Sequence, residues 1–185
     1  ASGRQAVISA LLSRRLNRRI NRVPSPTLAF GTPWLTVMLF SLAPILPIVA
    51  SAPVMPPLGF MLLLAWRQVR PGLLPVWAGV PLGMFDDIYS GQPFGSAVLL
   101  WTVAAIVLDL YEARFPFRHF LFDWLVSSVM VCAYLALSLV FANAAGASAS
   151  IMVIAPQALL TLLLLPLVGR LVSALDRFRL VPFVE

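Results

Sequence analysis

The residues in this chain that could do chemistry are few, and most of them sit in one short run. Asp86 and Asp87 are adjacent within Gly83-Met84-Phe85-Asp86-Asp87-Ile88-Tyr89-Ser90-Gly91-Gln92-Pro93-Phe94-Gly95. Neighbouring positions on a helix do not share a face, so the two acids are expected to have different roles. One reading has a carboxylate capping the Gly91-Gln92-Pro93 turn or the following helix, whose N-terminal amides attract negative charge. A second has one acid meeting a partner or substrate, and a third leaves both wet at an interface. Gly91 and Gly95 bracket the turn, where glycine permits positive φ or close backbone approach. Gly79-Val80-Pro81-Leu82-Gly83 matches a small-xxx-small seam. Pro81 at its centre favours packing within the chain over a straight dimer seam.

A second group of charges lies further on. Asp109 and Glu112, three apart, face the same way. Arg114 and Arg118 follow, and His119 and Asp123 are four apart. The expected use is an interfacial salt-bridge cluster of Asp109, Glu112, Arg114, Arg118 and Asp123. A single histidine is a poor relay or ligand, and no Ser-His-Asp order, phosphate loop, metal-ligand cluster or paired glycosidic acids stand out. Cys132 is the lone cysteine, so no disulfide framework or multi-cysteine metal site is available, and its apolar run suggests a packing residue. The expectation is a protein that is not an enzyme and holds no metal or cofactor.

The elements that must position these residues are membrane spans. Hydrophobic residues make up 61% of the 185 and charged ones 11%, with a mean hydropathy of +0.94. That leaves nothing from which to build a water-facing surface. Spans are expected at about 33–50, 57–66, 73–85, 94–110, 120–141 and 151–172, the second and third being short. Six spans of about 20 residues use roughly 120 positions, so no loop can form a separate domain. The first span carries Pro44 and Pro47, and Pro156 and Pro166 suggest a kinked sixth span. The stretch before the first span could be read as a signal peptide cut near Ala52, but its apolar core is too long and Pro53 would follow the cut.

The charges test this layout. The net charge of +6 rests entirely on arginine. Arg4, Arg14, Arg15, Arg18, Arg19 and Arg22 precede the first span. Arg67 and Arg70 follow the second, Arg114 and Arg118 the fourth, and Arg170, Arg177 and Arg179 the sixth. The connections near Pro53, Gly91 and Ala145 carry none. In a six-span layout every arginine falls on one side, which the positive-inside rule makes the cytoplasm, with both termini there. A basic nucleic-acid groove does not explain this pattern. Residues 1–26 read as an arginine-rich arm, 27–175 as the transmembrane domain and 176–185 as a tail. In the arm, Ile8, Leu12, Leu16 and Ile20 line one helical face. This fits a helix lying on an anionic leaflet of the lipid bilayer or, on a sharper reading, one docking a cytoplasmic partner.

Gly83, Asp87 with Asp86 beside it, Ser90, Gly91, Pro93, Phe94 and Gly95, continued by Ser96-Ala97-Val98-Leu99-Leu100, resemble the motif of the rod shape-determining MreD family. Many members have leucine where Phe94 stands and a single acid where this chain has two. The resemblance implies a non-enzymatic, multi-pass subunit of the cell-elongation complex in a bacterial inner membrane. It implies binding to the scaffold protein MreC, work beside MreB, RodA and a penicillin-binding transpeptidase, and influence on peptidoglycan synthesis and cell shape. It also implies an all-α fold similar to the substrate-binding subunits of energy-coupling-factor transporters. The alternative is a subunit that itself binds a vitamin-like molecule, for which a polar pocket near the exterior face is expected. A lipid-carrier enzyme using Asp86, Asp87 and Asp109 is disfavoured, because Asp109 falls near the opposite face.

Overall fold

The structure, a computed structural model, describes residues 26–45, 55–114, 120–148 and 150–179. The described residues form six α-helices and no strand: α1 Pro26–Ser41, α2 Leu58–Val69, α3 Gly79–Tyr89, α4 Ser96–Arg114, α5 Phe120–Ala144 and α6 Ile151–Arg179. Short 3₁₀ turns at Ala43–Ile45 and Val76–Ala78 follow α1 and lead into α3. The arginine-rich arm lies outside the described residues, as do Arg118 and His119.

Three of these helices, α4, α5 and α6, are long and apolar enough to cross a membrane. At 1.5 Å per residue the 12 residues of α2 reach only about 18 Å, short of a hydrocarbon core of about 30 Å. The 11 residues of α3 reach no further. The first of these short helices is enclosed by the others, while α3 keeps Val80, Met84, Ile88 and Tyr89 exposed on one face. In α2 every residue from Gly59 to Arg67 is buried, as expected of a helix that is apolar all round. It packs against α1, α5 and α6, while α3 lies along α4 and α1.

The outer helices show why periodicity is faint in this sequence. Along α4 the buried stripe is Ala97, Leu100, Trp101, Ala104, Ala105 and Leu108 at helical spacing. The opposite, exposed face carries Leu99, Val103, Ile106 and Leu110 and is just as apolar. A helix in water would be polar there. Such a face suits hydrocarbon.

Several expected boundaries shift. The first helix starts at Pro26 and tolerates Pro33, but it stops at Ser41, and Pro44 falls in a 3₁₀ turn instead of inside a span reaching Ala50. Pro44 lacks the amide a continuing helix would use. The last helix runs through both prolines to Arg179, beyond the expected end at Val172. Asp176 in its last turns is buried against Arg70, which holds that extension to the bundle. Cys132 is exposed on α5 and is not a packing residue.

Aromatic contacts join the elements. Phe60 stacks on Tyr134 with centroids 4.4 Å apart, Trp101 lies 6.0 Å from Phe60, and Trp34 meets Trp77 at 5.4 Å. The Trp66 indole donates to Thr36 Oγ1 at 2.9 Å, tying α2 to α1.

Candidate functional site

The motif run forms the corner between α3 and α4. Helix α3 ends at Tyr89, with the Ser90 amide donating to the Asp86 carbonyl at 2.8 Å. Gly91 at φ +67° and Gly95 at φ +93° then turn the chain back, a conformation that side-chain-bearing residues adopt only under strain. Pro93 contributes its carbonyl to the Ser96 amide at 3.0 Å.

The capping reading holds for Asp87. Its Oδ2 accepts from the Gly95 amide at 2.9 Å and the Val98 amide at 3.3 Å, and its Oδ1 from the Ala97 amide at 2.9 Å. The Ser96 hydroxyl lies 3.3 Å from Oδ1 and 3.4 Å from Gln92 Oε1. One carboxylate from α3 thus satisfies the free amides at the start of α4, where the helix dipole also favours its charge. A carboxylate so fully engaged has no vacant position for acid–base work.

Close approach of the two helices makes this reach possible. A Cβ at Gly83 would stand 2.8 Å from the Ala97 carbonyl oxygen and from Val98 N and Cα. One at Gly79 would stand 2.9 Å from Thr102 N and Cα. The small-xxx-small seam is therefore used within the chain, with two glycines one turn apart seated on the α4 backbone.

Asp86 faces the other way, so the two acids do not form a dyad. It is 7% exposed and lines a cavity of about 270 Å³ between α1, the start of α2, α3, α5 and α6. Ser41, Ser90, Gln92, Tyr134 and Gln157 share this lining, and the Gln157 amide donates to the Met55 carbonyl. Ser41 Oγ lies near the Asp86 carboxyl but outside hydrogen-bond geometry, so this hydroxyl is buried without a partner, as is that of Ser90. No single residue announces this cavity in the sequence. Asp86, Ser90 and Gln92 belong to the motif run, but Ser41, Tyr134 and Gln157 lie far from it in the chain, each an isolated polar residue in an apolar run.

Of the motif's members, Gly83, Asp86, Asp87 and Ser96 are buried, while Phe94 is 74% exposed at the corner. Tyr89 and Ile88 beside it are also exposed.

At the opposite end of the bundle the expected cluster is rearranged. Asp109 pairs with Arg67 at 3.0 Å and not with Arg114, which is exposed and joins no ion pair among the described residues. The neighbouring Gln68 donates to the Asp123 carbonyl and accepts from Ser127 Oγ, both at 3.0 Å. Arg70 meets Asp176 at 2.9 Å. Three residues at the end of α2 thus join it to α4, α5 and α6. Arg114, the last residue of α4, is left out of the pair because Arg67 on the central helix takes Asp109. Glu112 is half-buried in the last turn of α4.

The Asp109 side chain is 61% exposed while that of Arg67 is 3% exposed. A pair with one exposed member is largely screened. A double-mutant cycle on Arg67 and Asp109 should therefore give a coupling of no more than about 1 kcal/mol. Denaturant unfolding in detergent of the two single variants and the double variant measures it.

No protein-family model, no curated protein and no solved structure matches the chain.

Proposed function

We propose that this chain is a multi-pass membrane adaptor of the MreD type, a non-enzymatic subunit that holds a scaffold partner and the wall-synthesis enzymes of a cell-elongation complex together. The observation that carries this reading is the use made of the motif. Its buried members Asp87 and Gly83, with Gly79 one turn before Gly83, build a rigid corner, and its bulky apolar member, Phe94, is left exposed at the tip. A corner built this way presents a fixed contact surface and offers no reacting groups.

On this reading α1, α2 and α3 complete six crossings with α4, α5 and α6. Helix α2 is enclosed by the others, and the fold would be similar to the substrate-binding subunits of energy-coupling-factor transporters. Arg67, Arg70, Arg114, Arg170 and Arg177 share the cytoplasmic end, and the motif corner faces the exterior of a bacterial inner membrane. There it meets the MreC-like partner, with MreB, RodA and a penicillin-binding transpeptidase in the same assembly.

Two measurements test the proposal. A topology reporter fused at Ala145 should read as exterior; a cytoplasmic signal contradicts the six crossings. A photo-crosslinker at Phe94 should capture an MreC-like single-pass protein in cells, whereas one at Leu163, on the exposed face of α6, should capture lipid. Equal capture of that protein at both positions contradicts docking at the corner.

A second reading, a small-molecule-binding subunit of a transporter, is favoured by one observation, the polar cavity around Asp86. It would show itself by co-purification of an ATPase module.

A further inference from the structure

The cavity between α1, the start of α2, α3, α5 and α6 has an unusual balance of groups. Among the described residues Asp86 is the single carboxyl that lines it, and no arginine or histidine does. Among the described residues no cationic side chain pairs with Asp86, although a buried carboxylate is ordinarily compensated by a counter-charge. Two hydroxyls beside it, Ser41 Oγ (the residue 2% exposed) and Ser90 Oγ, are buried without partners. Ser90 follows Asp86 by one helical turn, Ser41 lies next to the Asp86 carboxyl, and all three line the cavity. Gln92, Tyr134 and Gln157 supply further polar groups around the remainder.

This set selects the charge and shape of an occupant. An anion would meet the carboxylate. A divalent metal ion prefers several carboxylate or imidazole ligands, and no group of three such side chains occurs among the described residues. A bare monovalent ion would leave most of the roughly 270 Å³ unused. A primary ammonium carries one positive charge and three N–H donors, matching one carboxylate and two hydroxyls that lack partners. The volume left over accommodates a short organic stem, at the small end of ligand pockets.

We propose that this cavity binds the primary ammonium group of a small amine or of an amine-bearing lipid headgroup. Asp86 supplies the counter-charge, and Ser41 and Ser90 accept the other two N–H bonds. Such a site is as compatible with an adaptor that senses its membrane as with a transporter subunit, so it does not depend on which of those two readings holds.

The test uses the full chain. Its thermal unfolding in detergent is followed while ethanolamine hydrochloride is added, with sodium chloride and tetramethylammonium chloride at matched ionic strength as controls. Tetramethylammonium has the charge without the donors. Ethanolammonium is expected to raise the melting temperature saturably, and the two controls are not. The apparent affinity should weaken by about tenfold in Asp86→Asn and about threefold in Ser90→Ala. Ser90→Ala removes a hydroxyl that bonds nothing among the described residues, so it keeps the test valid should Asp86→Asn fail to fold.

In lipid nanodiscs, native mass spectrometry reads the other source. Phosphatidylethanolamine retained over phosphatidylglycerol by the parent chain, and lost in the variants, assigns the site to a headgroup. A saturable effect of free ethanolammonium alone assigns it to a soluble amine. The proposal is overturned if neither ligand is held, if sodium or tetramethylammonium acts equally, or if both variants bind as the parent does.

Discussion

Asp87→Ala should lower the unfolding free energy by about 3–5 kcal/mol, the largest loss expected from any single polar substitution in the chain. The carboxylate takes up the amides of Gly95, Ala97 and Val98, and no other group is placed to receive them. Water would normally fill in at a helix start, but Ala97 is fully buried and Ser96 nearly so. The orphaned Ala97 donor would therefore carry its desolvation cost in full, and the half-buried Gly95 and Val98 donors part of theirs. Asp87→Asn should fall between, because its amide keeps one acceptor oxygen but points its own N–H bonds at the remaining donors. The adjacent Asp86→Ala provides the contrast. Asp86 bonds none of these amides, and its removal should change stability by less than about 1 kcal/mol in either direction. Unfolding of the three variants in detergent, followed by circular dichroism or denaturant titration, measures the difference. Equal losses at Asp86 and Asp87 would contradict the division of roles.

Gly83→Ala should cost about 2–3 kcal/mol, and Gly83→Leu should prevent the chain from accumulating in the membrane. The added Cβ meets backbone atoms of Ala97 and Val98 at 2.8 Å, and backbone cannot step aside as a flexible side-chain tip can. Relief requires α3 and α4 to separate. The same movement would draw Asp87 away from the amides it caps, so the two losses are coupled. Gly79→Ala, against Thr102, should behave alike. At Gly91 the situation differs: its φ is +67°, yet a Cβ there would meet nothing within 4 Å. Gly91→Ala should then cost only the left-handed strain, about 1–2 kcal/mol. Protein level in the membrane fraction and melting temperature together order these variants. A Gly83→Ala protein as stable as the parent would show that the seam is looser than the close approach implies.

What could be read from the sequence followed from rules that act locally. Adjacent acids on a helix separate by about 100°, so the different roles of Asp86 and Asp87 were legible, as was a cap for the next helix. Which acid would cap was not, because that depends on the rotation of α3 against α4, set by Gly79 and Gly83 on the α4 backbone. The placement of six helical segments was legible because continuous apolar runs alternate with turns rich in glycine, proline and arginine. Their ends were less so: the first helix stops before Pro44 and the last continues past Val172, where Arg70 holds Asp176. The union of Arg67 with Asp109 was hidden for a different reason. An arginine at the end of an apolar run looks the same whether it extends to the membrane surface or turns inward, and only the fold tells them apart. Likewise Ser41, Tyr134 and Gln157 meet only because α1, α5 and α6 converge around Asp86.

Affinity purification of the full chain from native membranes in mild detergent, with identification of every associated protein, bears most directly on the proposed adaptor function. The expected result is recovery of an MreC-like single-pass scaffold protein with wall-synthesis enzymes, reduced when Phe94 is replaced by alanine although the chain remains folded. Recovery instead of an energy-coupling ATPase module, with a vitamin-like molecule bound, would contradict it.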